Sequence, residues 1–247
     1  MSLPYKNFIF DLYGTLTDIR TDEESRSLWK KTALYYTEHG APYTASELRR
    51  AYLRLCDAEQ RRHRDPLYEI ELRKVFRALY TEKGVTPGGR RVEETAVFFR
   101  LTSLRYLRRY DWVLPVFAAL RAEGARLYLL SNAQSCFTVP ELRGLGLSDA
   151  FDGILISSDA HVKKPGPKIM EMLLARYGLS VGESLMIGND QYADVAVARA
   201  VGMDALYLQT ETSGPYDPAL KAKYELLDGD FSRLPALLGI QAKQELL

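Results

Sequence analysis

The feature that most constrains the fold is a set of short apolar runs, each ending abruptly in small or polar residues: Asn7 to Phe10, Leu127 to Leu130, Gly153 to Ile156, Leu185 to Ile187 and Ala205 to Leu208. Each run is continuous in apolar character and does not alternate, which is the pattern of a parallel strand covered on both faces. Helical segments precede or separate the last four: Val113 to Glu123, Pro140 to Leu145, Pro167 to Tyr177 and Ala193 to Val201. Glycines suited to helix C-terminal turns follow them at Gly124, Gly146, Gly178 and Gly202. Alternation of this kind predicts an α/β chain, a three-layer Rossmann-like parallel sheet with helices on both faces.

The stretch from about Thr17 to Tyr110 breaks the rhythm. It contains no run that reads as a strand, and its apolar spacing predicts successive amphipathic helices over Glu24 to His39, from Thr44 onward, over Leu67 to Lys83 and over Val92 to Leu107. Thr44-Ala45-Ser46-Glu47 has the form of a capping box ahead of Leu48, Ala51, Tyr52 and Leu55. The expected organisation is therefore a discontinuous core, 1–17 and 111–240, with an all-α four-helix cap domain inserted at 18–110 and a frayed tail after Ile240.

Charge and cysteine usage narrow the function classes. Lysine and arginine total 33 against 32 aspartate and glutamate, a formal charge of +1, so no polyanion is implied as partner and nucleic acid is not expected. Cys56 and Cys136 are far apart with no CxxC pair, which fits a reducing compartment. No run approaches the roughly 18 apolar residues of a membrane span, and the N-terminus lacks the pattern of a secretory leader. The expectation is a cytoplasmic protein without a membrane partner, a monomer or homodimer, acting on a small molecule.

Ligands of open parallel sheets bind beyond the carboxyl ends of the strands. The first run ends in Asp11-Leu12-Tyr13-Gly14-Thr15, the second in Ser131-Asn132, and the third is followed by Lys163-Lys164-Pro165-Gly166-Pro167 at a helix start, where backbone N–H groups also favour anions. The fourth ends in Gly188-Asn189-Asp190-Gln191-Tyr192-Ala193-Asp194. A carboxylate, a hydroxyl with an amide, a lysine and an acidic pair would thus meet at one rim, a combination that suits nucleophilic catalysis on an anionic small molecule.

This ordered set, with a helical insertion after the first strand, resembles the haloacid dehalogenase superfamily. The resemblance implies that Asp11 is a nucleophile forming an aspartyl intermediate, that Ser131 and Lys164 are catalytic partners, and that Tyr13 and Asn132 lie against substrate. Lys164 is preferred to Lys163 because the family's lysine directly precedes the proline. For the phosphatase branch it implies Mg²⁺ held by Asp11, the Tyr13 backbone carbonyl and Asp190, with Asp194 completing the acidic pair, either through water or by orienting Lys164.

Two positions depart from that branch. Its phosphatases usually carry an aspartate as general acid where this chain has Tyr13, and an aspartate where it has Asn189. Asp-x-Tyr-Gly-Thr is similar to the metal-independent 2-haloacid dehalogenases, in which halide leaves without a proton. The acid pair favours metal, because uncompensated carboxylates repel. The leading expectation is a Mg²⁺-dependent phosphatase of small phosphorylated metabolites. The alternatives are a 2-haloacid dehalogenase and a degraded hydrolase scaffold that binds a ligand. Arg49, Arg50, Arg54, Arg61, Arg62 and Arg64 could draw an anion towards the cap or form a solvated helix face. Trp29, Tyr35, Tyr36, Phe98 and Phe99 read as cap core and pocket wall.

Overall fold

The computed structural model describes residues 3–238 and Ile240, and the expected frayed tail lies outside the described residues. In chain order the strands are β1 (Asn7–Phe10), β2 (Thr17–Thr21), β3 (Leu104–Arg109), β4 (Arg126–Ser131), β5 (Gly153–Ile156), β6 (Ser184–Gly188), β7 (Asp204–Leu208) and β8 (Tyr224–Leu226). The principal helices are α1 (Arg26–Glu38), α2 (Ala45–His63), α3 (Leu72–Thr81), α4 (Gly89–Ser103), α5 (Val113–Ala122), α6 (Ser135–Gly144), α7 (Ser157–Ala160), α8 (Pro167–Tyr177) and α9 (Ala196–Ala200).

The continuous apolar runs become a parallel sheet in the order β5-β4-β1-β6-β7-β8. Alternate side chains serve opposite faces. Phe8, Phe10, Leu127 and Leu129 pack with Val116, Phe117 and Leu120 of α5, while Ile9, Tyr128, Leu130 and Met186 pack with Ile169, Met170 and Leu173 of α8. Burying each such leucine or phenylalanine contributes about 1.5–3 kcal/mol. Register decides where the polar ends go: Phe10 stands opposite both Leu129 and Ile187, so the residues that follow β1, β4 and β6 emerge at one rim.

In the insertion, α1 to α4 bury Leu28, Trp29, Tyr36, Leu48, Phe76 and Phe99 against one another. This cluster continues into the core through Phe137 of α6, whose ring lies 6.3 Å from both Phe76 and Phe99. The cap is thus seated on α6. The Thr44 capping box forms as expected, with Glu47 N donating to Thr44 Oγ1 and Thr44 N donating to Glu47 Oε2.

Several expected elements are corrected. The insertion is not all helical: β2 and β3 make an antiparallel ribbon at its root, where Asp18 stands opposite Arg108 and bonds it at 2.7 Å. Thr17, Ile19 and Thr21, branched at Cβ at alternate positions, favour an extended chain, and cross-strand charge pairs support it. The last cap helix ends at Ser103 because Leu104 onward pairs with β2. The third begins at Leu72 and not Leu67, since the peptide groups of 67–70 bond to the core: Lys163 N donates to Leu67 O and Glu69 N donates to His161 O. Helix α6 starts at Ser135 and carries Pro140 inside it, and β8 is a strand that composition did not announce. Among the described residues no helix is long and apolar enough to cross a membrane.

Candidate active site

The turn after β1 places the first carboxylate. Asp11 N donates to Ile187 O at 2.9 Å, Gly14 N to Thr17 O at 2.7 Å and Leu16 N to Leu12 O at 2.8 Å, so the loop is closed within one turn. Gly14 sits at φ +82°, and a Cβ there would lie 2.4 Å from Thr212 Oγ1, so no other residue fits both the conformation and the space.

Asp11 is 7 % exposed and every oxygen has a partner. Its Oδ1 accepts from Lys164 Nζ at 2.8 Å and Ser131 Oγ at 3.3 Å, and its Oδ2 accepts from Thr15 Oγ1 at 3.2 Å. Lys164, 3 % exposed, spends its remaining donors on Asp194 Oδ1 at 2.6 Å and Leu130 O at 2.9 Å. An ammonium has three N–H groups, and here all are used. Burial works against the lysine's charge, yet Asp11 and Asp194 outweigh it and hold Lys164 above its ordinary value. Burial also pushes the Asp194 carboxyl up, and Lys164 offsets only part of that rise. Asp194 reaches this position because the facing residue is Gly188, where a Cβ would lie 2.1 Å from Asp194 Oδ2.

The predicted catalytic residues Asp11, Ser131 and Lys164 therefore converge, and Lys163 stands outside the cluster. Other expectations need correction. Asn132 does not turn its amide to the site: it accepts from Lys164 N at 2.8 Å and donates to Lys164 O at 2.9 Å, holding the lysine loop by both ends of one peptide segment. The Tyr13 hydroxyl is bonded to Glu141 and, at 3.0 Å, to Thr138, and not to Asp11. Burial, then the Glu141 carboxylate, pushes that phenol well above its ordinary value, so it holds its proton at neutral pH.

The acidic pair is not a pair in space. Asp190 is exposed and its Oδ1 accepts from Tyr192 N and Ala193 N, capping the π-type turn Gln191–Val195. Asp194 is turned inward, with Oδ1 on Lys164 and Oδ2 on Asp190 N at 3.0 Å. Among the described residues no three His, Cys, Asp or Glu side chains come together as ligands, and Asp190 and Asp194 are turned to different partners. A different oxygen corner is present: Asn189 Oδ1 and Asp11 Oδ2 both turn to the Thr15 hydroxyl, at 3.1 and 3.2 Å, and one proton cannot serve two acceptors fully. Two oxygens short of positive partners, one of them a carboxylate's, suit a hard cation that completes its shell with water and substrate oxygen.

Sequence reasoning missed Thr15, although it lies inside the quoted Asp-x-Tyr-Gly-Thr run. It also misplaced the cap segment 65–71, expecting helix from Leu67 where the chain is non-helical. That segment lies on the loops that deliver Ser131 and Lys164: Gln134 Nε2 donates to Ile70 O at 2.8 Å, Leu72 N donates to Gln134 Oε1 at 2.8 Å, and Ser157 Oγ donates to Glu69 Oε2 at 3.1 Å. Burial raises the Glu69 carboxyl. Four of the six arginines on or beside α2 are taken up by ion pairs. Arg49 pairs with Glu24, Arg54 with Glu82, Arg61 with Asp57 and Arg62 with Glu59, on the solvated outer surface of the cap.

Residues 5–202 match the haloacid dehalogenase-like hydrolase family. A phosphoserine phosphatase of Thermus thermophilus is 32% identical over 157 residues, 64% of this chain and 61% of that protein. A glyceraldehyde 3-phosphate phosphatase of Pyrococcus furiosus is 25% identical over 240 residues, covering 97% and 94%. With the first of these relatives, then, the likeness spans about three-fifths of the relative's length. A 2-haloacid dehalogenase of Pseudomonas syringae pv. tomato superposes with a TM-score of 0.66 at 22% identity, over 95% of this chain and 98% of the other, a likeness of fold.

Proposed function

This chain belongs to the haloacid dehalogenase-like hydrolases, and from that premise we propose that it hydrolyses small phosphoric monoesters with Asp11 as nucleophile. The observation that carries the reading is the buried Lys164 ammonium bound to Asp11 at 2.8 Å and Asp194 at 2.6 Å. It fixes the nucleophile's direction and keeps a positive charge where a phosphoryl oxygen has to sit. Asp11 attacks phosphorus through a carboxylate oxygen, the bond to the ester oxygen breaks, and the acyl phosphate so formed is opened by water to give inorganic phosphate and free Asp11. Ser131 keeps the attacking carboxylate oriented. Tyr13 holds its own proton, so the leaving oxygen takes its proton from water, and the rate falls steeply as the leaving group becomes more basic.

Mg²⁺ fits the Asp11–Asn189 corner, and those two residues would hold it through Oδ2 and Oδ1. When bound it supplies positive charge to the phosphoryl oxygens. Asp190 and Asp194 take no part as ligands in this reading. Two features favour a second reading, hydrolysis of 2-haloacids without metal: Lys164 already neutralises the nucleophile, and Tyr13 is withdrawn from proton transfer, which a departing halide does not need.

A panel of phosphate esters and 2-haloacids, assayed with Mg²⁺ and with EDTA, separates the two. The expected result is phosphate release that EDTA suppresses and that Asp11→Asn reduces by about 10³-fold or more. Halide release that persists in EDTA would select the second reading, and turnover indifferent to Asp11→Asn would eliminate both.

A further inference from the structure

Tyr13 stands two residues after the nucleophile, and its surroundings connect parts of the molecule that are distant in sequence. Its hydroxyl bonds Thr138 and Glu141 on α6. Glu141 in turn accepts from Arg100 Nε of α4 at 2.6 Å, and that pair is nearly sealed, with side chains 12 % and 8 % exposed. The Arg100 guanidinium also lies 5.6 Å from the centre of the Tyr13 ring and 5.3 Å from that of Phe137. A charged pair buried to this degree is costly unless its geometry is well satisfied, so it persists only where cap and core are held in one arrangement.

Three loops or helices that matter to the site meet here. Tyr13 belongs to the tight turn that carries Asp11, and α6 begins just after Ser131 and Asn132. Arg100 belongs to the cap. Asp11 is only 7 % exposed, and a parting of cap and core would separate Arg100 from Glu141.

The geometry points to Arg100 as a cap-borne positioning residue that acts through Glu141 and Tyr13 to set the nucleophile turn when the cap is seated. Closure over substrate and alignment of Asp11 are then one event. The function of Tyr13 in place of a carboxylate is mechanical: it exchanges a proton donor for a rigid ring with a hydroxyl that α6 can hold. This inference rests on the nucleophilic role of Asp11 proposed above.

The test compares Arg100→Met, Arg100→Lys, Glu141→Gln, Tyr13→Phe and the Tyr13→Phe/Glu141→Gln double variant, using p-nitrophenyl phosphate with Mg²⁺. Misplacing a reacting group by a fraction of an ångström to an ångström costs up to about 100-fold, so Arg100→Met and Glu141→Gln are expected to lower kcat by about 10- to 100-fold. KM should change by less than about threefold, Arg100→Lys should recover part of the loss, and the double variant should be little worse than Glu141→Gln alone. Amide exchange of the peptide covering 11–17, followed in the full-length protein, should accelerate in Arg100→Met although residue 100 lies in the cap.

A loss confined to KM would make Arg100 a substrate-binding group and overturn the inference. Additive effects in the double variant, or exchange of 11–17 unchanged in Arg100→Met, would overturn it as well. If the wild-type protein releases halide and not phosphate, the functional reading has failed, and the same variants are compared on the haloacid. If neither substrate turns over, the exchange measurement alone decides.

Discussion

The two flanks of Asp11 are built differently. On one side Lys164 and Asp194 belong wholly to the core, and each polar atom of the cluster has a partner within it: the ammonium uses three acceptors, and Asp194 is completed by Asp190 N. On the other side Tyr13 is completed through Glu141 by Arg100, a residue of the cap. The first flank takes its side-chain partners from the core alone. The second is complete only when the cap is seated.

The comparison is most severely tested by Lys164→Met. Removing the ammonium leaves Asp11 and Asp194 buried and unpaired, so denaturant unfolding should show a loss of about 3–5 kcal/mol together with loss of turnover. A loss under about 1 kcal/mol would mean that water or structural relaxation replaces the lysine, and that flank would no longer be self-contained.

Asp194 sharpens the contrast through pH. Burial raises its carboxyl to about 7 in the folded chain, above its unfolded value, so the folded state holds this proton more tightly. Its contribution to stability is full below the ordinary carboxylate range and is lost as pH rises through 7. In EDTA, the thermal midpoint should fall between pH 5 and pH 8, a window set by that raised value, and Asp194→Asn should flatten the fall. An unchanged slope in the variant would show that Lys164 keeps Asp194 ionised throughout.

The smallest effect is expected far from both flanks. Arg49→Ala and Arg54→Ala remove ion pairs in which the arginines are 40% and 58% exposed, so each should change stability by less than about 0.5 kcal/mol and leave KM unaltered. A marked rise in KM would give the α2 arginines a part in attracting substrate that their pairing argues against.

How far the sequence could be read follows from the range of the interactions concerned. Continuous apolar runs report burial on both faces, a property of each strand alone, and the five runs all became strands of one sheet. Strand ends likewise announced Asp11, Ser131 and Lys164, because register in a parallel sheet brings consecutive C-termini to a common rim. The helical reading of 67–71 failed for the opposite reason: the backbone there bonds to His161, Lys163 and Gln134, far away in sequence. Residues 104–109 kept a helix-like spacing of leucines, yet pairing with 17–21 overrode it.

The chain by itself determined its class, the order of its strands' polar ends and the identity of the central carboxylate, hydroxyl and lysine, since these depend on local patterning and on a topology with few alternatives. Tertiary structure decided which of two nearby acids turns inward to Lys164 and which caps a turn outside. It also decided that Asn132 holds the lysine loop, and that Tyr13 is satisfied by Glu141 and Arg100. Each of those outcomes is a choice of partner for a polar group, and a partner 30 residues away, as Lys164 is from Asp194, or 128 away, as Glu141 is from Tyr13, is selected by packing, which no local pattern records.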